Sequence, residues 1–184
     1  MQAVDLRPGM AVIFNGQIHM VEEYQHVTPG NWRAMIQASL RNLKTGKSVK
    51  NRFRSQDNIE QVIIEPKECQ YLYHNLDAYY FLDLESYHNH AVSAEIVGER
   101  HHYLAENLEV KLLMHDERVL DIELPTSVNL KVVEAERGSR GDTVTNVQKK
   151  AKLETGYELG VPIFIDVGEV IKVDTRTGAY LGRS

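Results

Sequence analysis

Short apolar runs and stretches in which apolar and polar residues alternate with a period of two, the mark of strands that bury one face, are separated along this chain by turn residues. The apolar run Met10–Phe14 ends at Asn15-Gly16 and is followed by Gln17–Tyr24. Both central residues of a type I′ turn need positive φ, which Asn-Gly tolerates, so the pair predicts a tight hairpin. Farther on, Ala34, Ile36, Ala38 and Leu40 alternate with Met35, Gln37, Ser39 and Arg41. Lys44-Thr45-Gly46-Lys47 turns the chain again. In the next strand Val49, Asn51 and Phe53 oppose Lys50, Arg52 and Arg54, so three cations share one face. Four or five short antiparallel strands within residues 1–64 predict a small SH3-like barrel.

A second strand series opens near Ile64-Glu65-Pro66. Cys69–Tyr73 and Ala78–Leu82 form a hairpin around His74-Asn75-Leu76-Asp77, and Glu85–Gly98 holds a turn and part of a strand. Glu99–Asn107 reads as a short helix or irregular connection. Glu109–Met114 and Arg118–Leu124 flank a turn at His115-Asp116-Glu117, and the series stops at Pro125. A third unit runs from Val128–Ala135 through the polar loop Arg137–Thr143 to Lys149–Leu153, Gly160–Ile165, Val170–Asp174 and Tyr180, with turns at Thr155-Gly156 and Thr175–Gly178. Each of these units has about five strand patterns, the number in an oligonucleotide- and oligosaccharide-binding (OB) barrel. The expected architecture is all-β, three small barrels in tandem over residues 1–64, 65–126 and 127–184, with no clear residue-level repeat between the second and third.

Between Glu23 and Asp57 there is no Asp or Glu, yet Arg33, Arg41, Lys44, Lys47, Lys50, Arg52 and Arg54 fall there. The formal net charge is −5, so about −12 belongs to the rest of the chain. This polarisation suggests that one end faces phosphates, whereas a uniformly basic chain would suggest coating of nucleic acid. Inside the basic stretch, His26–Met35 interrupts two strand patterns. Pro29 and Gly30 favour chain reversal, which leaves Trp32 and Arg33 at or just past an apex. The tryptophan is either displayed there or folded back as a lid on the barrel.

The 42% hydrophobic content suffices for ordinary cores. A single cysteine, Cys69, excludes an intramolecular disulfide framework and reads as a buried structural thiol in a strand. No apolar run approaches about 18 residues and no signal segment opens the chain, so a soluble cytoplasmic protein without a membrane partner is expected. His88, His90, His101 and His102 are close in sequence, but they lack a clean fourth partner or recurrent zinc spacing, so no metal site is assigned. His88-Asn89-His90 spells a nuclease-like triplet in strand or turn context and is set aside. There is no Gly-rich phosphate loop after a strand, no Gly-x-Ser-x-Gly elbow and no carboxylate pair with acid–base spacing. A non-enzyme without cofactor is the expectation.

Several stretches together resemble one family. They are Pro29-Gly30, Leu40-Arg41-Asn42-Leu43-Lys44-Thr45-Gly46, Phe53-Arg54-Ser55, Tyr71-Leu72-Tyr73, Phe81-Leu82-Asp83-x-Glu85-x-Tyr87, Gly141-Asp142-Thr143, and the long run from Val161-Pro162 through Val173-Asp174-Thr175-Arg176-Thr177-Gly178 to Tyr180 and Arg183. They look like bacterial translation elongation factor P, and the match covers essentially the whole chain. The resemblance implies an SH3-like barrel of the KOW-related kind and two OB barrels in an L-shaped, tRNA-like outline. It also implies a monomer that binds the ribosome, through ribosomal RNA and proteins, between the peptidyl-tRNA and exit sites. There it would stimulate peptide bond formation at consecutive-proline stalls by positioning the acceptor end.

On this resemblance Pro29, Gly30, Asn31, Trp32 and Arg33 are the tip near the tRNA CCA end. The six cations Arg41, Lys44, Lys47, Lys50, Arg52 and Arg54 form a basic face for RNA. Gly141, Asp142 and Thr143 approach messenger RNA in the exit site, and Tyr180 and Arg183 face RNA. Relatives often carry a lysine after Pro-Gly, or an arginine at the tip, that receives a covalent extension. Asn31 occupies that lysine position and offers neither an amine nor a guanidinium. Arg33 pairs readily with phosphate, and Trp32 stacking on an unpaired base is worth roughly 1–3 kcal/mol, so their bulk and charge are one replacement for the extension. A modified Arg33 is another, and a less important tip a third. The rival readings are a paralogous ribosome-binding factor with a different task, a generic single-stranded nucleic-acid-binding OB protein, and an enzyme on an OB scaffold.

Overall fold

The computed structural model describes residues 1–28, 35–136 and 148–184, and within them the chain is all-β apart from short helical turns. Fifteen strands form three five-stranded sheets among the described residues. The first holds β1 (Ala11–Phe14), β2 (Gln17–Val27), β3 (Met35–Asn42), β4 (Ser48–Arg54) and β5 (Glu60–Val62), in the order β4-β3-β2-β1-β5. Asn15 (φ 50°) and Gly16 (φ 74°) make the expected left-handed pair, and Phe14 faces Gln17 across the turn. Ile36, Ala38 and Leu40 are buried with Leu6, Val12 and Val21. Phe53 meets Phe14 edge-on at 5.9 Å, which closes one side of this core.

The second sheet holds β6 (Glu65–His74), β7 (Ala78–Asp83), β8 (Asn89–Ser93), β9 (Glu109–His115) and β10 (Arg118–Glu123), ordered β10-β9-β6-β7-β8. The part-strand read in 85–98 is a complete strand, β8, followed at once by a helical turn, α1 (Ala94–Val97), and a 3-10 helix, Gly98–Tyr103. Helical structure therefore starts earlier than the sequence suggested. The third sheet holds β11 (Ser127–Ala135), β12 (Gln148–Leu153), β13 (Glu158–Pro162), β14 (Val170–Asp174) and β15 (Tyr180–Arg183), ordered β13-β12-β11-β14-β15. Both sheets place their first strand in the centre, with the second and third on one side and the fourth and fifth on the other, as in an OB barrel. β13 ends at Pro162 rather than Ile165. An unbroken apolar run carries no register information, and Ile165 is buried by folding back, its N–H bonding the Pro162 carbonyl at 3.1 Å. By contact the chain gathers into two compact units, Met1–Lys67 with Leu112–Asp121, and Glu68–Lys111 with Ile122–Ser184. Among the described residues no helix is long and apolar enough to cross a membrane.

Each sheet uses the same six-residue turn. Between β3 and β4, Asn42 Oδ1 accepts the N–H groups of Lys44 (2.8 Å) and Thr45 (2.9 Å). Its carbonyl accepts from Gly46, and its own N–H donates to the Lys47 carbonyl, both at 2.9 Å. Between β7 and β8, Asp83 Oδ1 accepts from Glu85 (2.9 Å) and Ser86 (3.0 Å), with Tyr87 and His88 completing the same pair of main-chain bonds. Between β14 and β15, Asp174 Oδ1 accepts from Arg176 (2.8 Å) and Thr177 (3.0 Å), with Gly178 and Ala179 in those places. The two backbone donors hold the Asp174 carboxyl below its ordinary range. The fifth residue must take positive φ: Gly46 has 69°, Gly178 70° and Tyr87 58°.

The two glycines differ in their surroundings. A Cβ on Gly46 meets nothing, whereas one on Gly178 would overlap the Tyr157 hydroxyl and lie 3.0 Å from that of Tyr103. Gly46→Ala is expected to lose about 1 kcal/mol from backbone conformation alone, and Gly178→Ala about 2–4 kcal/mol because overlap is added. Urea unfolding of both variants checks this; equal losses would contradict the packing described around Gly178.

Candidate nucleic-acid interface

The outward face of β2, β3 and β4 is where the sequence-predicted cations gather. The register pairs Ser39 with Lys50, Gln37 with Arg52 and Met35 with Arg54, and all three cations are exposed. Lys44 and Lys47 stand exposed in the Asn42 turn, whose four internal bonds fix where they emerge.

The local absence of acid in the sequence does not carry over to this face. β2 bulges between Val21 and Glu23, so Val21 pairs with Leu40 and Glu23 with Ser39 while Glu22 is the extra residue. Without the bulge, strict alternation would aim Glu23 at the core beside Val21. With it, both carboxylates point outward and find cations: Glu22 lies 3.2 Å from Arg41 Nε, and Glu23 lies 3.7 Å from Lys50. Arg41 also places Nη2 3.0 Å from Asp121, whose side chain is 3% exposed. A guanidinium bridging two carboxylates, one of them buried, is held by the fold. The six cations thus divide. Arg41 is structural and Lys50 is partly neutralised, whereas Lys44, Lys47, Arg52 and Arg54 make no ion pair among the described residues.

β2 and β3 stay paired as far as Val27 and Met35, so a long two-stranded stem leads to the tip. Pro29, Gly30, Asn31, Trp32 and Arg33 lie outside the described residues, as do Gly141, Asp142 and Thr143. The C-terminal pair is described. Tyr180 packs against the core of the third sheet. Arg183 is 3.2 Å from Glu169, donates to the Phe164 carbonyl at 3.2 Å and lies 5.0 Å above the Phe164 ring. Its guanidinium is therefore already engaged, although half the side chain stays exposed.

The histidines are used locally. His90 lies 3.7 Å from Asp83, His102 lies 3.2 Å from Glu99, and His101 Nδ1 donates to the Gly98 carbonyl at 2.7 Å. Among the described residues no three His, Cys, Asp or Glu side chains are grouped to hold a metal. Cys69 is fully buried in β6. Beside Gly178, burial and then a hydrogen bond with Tyr157 push the Tyr103 hydroxyl up to about 12, so it stays protonated at neutral pH. Sequence reasoning missed this tyrosine pair and the two outward glutamates, because both depend on which strands become neighbours.

Comparison with known proteins matches the chain in three consecutive stretches. Residues 2–59 match the family model for the elongation factor P (EF-P) KOW-like domain, 64–122 that for the EF-P OB domain, and 128–183 that for the elongation factor P C-terminal region. Elongation factor P of Roseiflexus sp. strain RS-1 is 44% identical over 180 residues, covering 97% of this chain and 96% of that one. The protein of the same name from Chloroflexus aggregans is 45% identical over 181 residues, with the same coverage. Among solved structures, a eukaryotic translation initiation factor 5A from Methanococcus jannaschii aligns with a TM-score of 0.51 and 17% identity, over 67% of this chain and 93% of that one, a likeness of fold.

Because Arg41 bridges Glu22 and Asp121, Arg41→Ala is expected to destabilise by about 2–4 kcal/mol, with a coupling to Asp121→Asn of about 1–3 kcal/mol. Chemical denaturation of the two single variants and the double variant measures it. Additive losses would mean that the two groups do not act as a pair.

Proposed function

Because the chain belongs to the elongation factor P family, we propose that it is a translation elongation factor that binds the ribosome between the peptidyl-tRNA and exit sites and relieves stalling at consecutive prolines. The observation that carries this reading is the run of three family matches over nearly all of the chain in consecutive order. We take the chain as three domains, 1–64, 65–126 and 127–184, acting in the cytoplasm as a monomer.

In this reading Lys44, Lys47, Arg52 and Arg54 meet ribosomal or transfer RNA phosphates, because nothing in the described fold neutralises them. The β2–β3 stem carries the tip towards the CCA end of the peptidyl-tRNA. Trp32 stacks on an unpaired base and Arg33 forks onto phosphate, which together stand in for the extension that Asn31 cannot receive. Gly141-Asp142-Thr143 meets messenger RNA: a short carboxylate accepts from a base amino group while the glycine allows close backbone approach. Tyr180, packed on the core of the third sheet, and Arg183, held by Phe164 and Glu169, shape the C-terminal RNA-facing surface. The protein supplies position: holding the acceptor end in a productive geometry removes an entropic part of the barrier, and the ribosome performs the chemistry.

Purified translation of a polyproline template is expected to speed up on adding this protein. Trp32→Ala and Arg33→Ala should each reduce the gain by roughly 5–150-fold, the kinetic equivalent of one stacking or one charged phosphate contact. Mass spectrometry of the tip peptide from natively expressed protein is expected to return the unmodified mass. No relief by the unaltered protein would favour a ribosomal task other than proline stalling, and added mass on Arg33 would favour a modified tip.

A further inference from the structure

The three equivalent turns expose one anomaly. Their fifth position is Gly46, Gly178 and Tyr87, all at positive φ. For a bulky side chain that backbone region is disfavoured by about 1 kcal/mol relative to glycine. Nothing in the described fold repays it: Tyr87 is 74% exposed and makes no ring contact or side-chain hydrogen bond with any described residue. Glycine serves the same turn twice elsewhere in this chain. A strained, exposed aromatic residue where the fold would be more stable without it points outward, to a partner.

The surroundings decide the partner's chemistry. Glu85, two residues earlier in the same turn, is exposed and makes no ion pair among the described residues. Residues 68–111, in the same compact unit as this turn, hold eight Asp and Glu, seven of them exposed, against only Arg100 and Lys111. Such a surface repels a phosphate backbone and attracts cations. The face of a phenol ring and a neighbouring carboxylate are complementary to arginine or lysine side chains.

We propose that Tyr87 and Glu85 form a docking contact for a polypeptide surface rich in arginine or lysine, separate from the basic face of β2–β4. The inference does not depend on the ribosomal reading, because it rests on the turn geometry and the charge of this segment. It is tested on the full chain with a deca-arginine peptide and, separately, decauridylate, each titration followed by amide NMR. The peptide is expected to produce shifts centred on residues 84–88. Tyr87→Gly should weaken binding there by about 2–5-fold, the effect of one exposed cation–ring contact, while raising the melting temperature by a few degrees. Tyr87→Phe should keep the affinity and the melting temperature of the unaltered chain. Peptide shifts spread evenly over the acidic surface, unchanged affinity in Tyr87→Gly, or no gain in melting temperature would overturn the proposal. So would decauridylate binding that depends on Tyr87, which would make the contact an RNA platform instead.

Discussion

The six-residue turn opened by an Asn or Asp is the constraint on which the rest of the structure leans. In each of the three sheets a side-chain oxygen takes the two backbone donors that a reversing chain leaves unpaired, and the strands on either side leave in fixed register. Register is strongly specified in these sheets, since a slip of one residue would exchange core and surface along a whole strand. In the first sheet the Asn42 turn sets Leu40 opposite Val49 and Ser39 opposite Lys50, and that choice decides that Lys50, Arg52 and Arg54 stand outside. In the third, the Asp174 turn brings Gly178 under the Tyr103 and Tyr157 hydroxyls, where a side chain could not fit.

A second constraint refines the charge of the first sheet. The bulge at Glu22 turns two adjacent carboxylates to the outer face, and each meets a cation of β3 or β4. Among the described residues the cations of this sheet left without an ion pair are fewer than the sequence count suggests, and the β2–β3 hairpin of the same sheet carries the tip segment. The arrangement suits a protein whose proposed RNA contacts must be placed as well as attractive: charges tied into the fold preserve geometry, and charges left over are available to phosphates.

Much of this was legible in the sequence. Period-two alternation located β3 and β4, an apolar run ending at Asn15-Gly16 located β1 and its return strand β2, and that pair named its own turn type, because those signals are local to a few residues. The turn at Asp83 was less evident, since it shares only its first residue type and a hydroxyl residue at its fourth position with the turn at Asp174, and Tyr87 replaces the glycine. The bulge could not be read at all, as it exists only relative to the partner strand. The early end of β13 was hidden by Val161–Ile165, where every position is apolar or proline and none marks a face. For Arg41 the sequence showed a cation without nearby acid, yet its partners Glu22 and Asp121 come from other strands. The tip residues and Gly141-Asp142-Thr143 rest on family resemblance, with no described geometry beneath them.

The proposed mechanism makes a thermodynamic commitment, because a protein that only positions its substrate changes the entropy of activation and leaves the bond-making enthalpy to the ribosome. The most direct measurement is the rate of peptide bond formation between prolyl residues on purified ribosomes, over a range of temperatures, with and without this protein. The account predicts that the activation entropy becomes less unfavourable while the activation enthalpy is nearly unchanged. An acceleration carried by a lower activation enthalpy, with the entropy unchanged, would contradict it and indicate that the tip takes part in the chemistry.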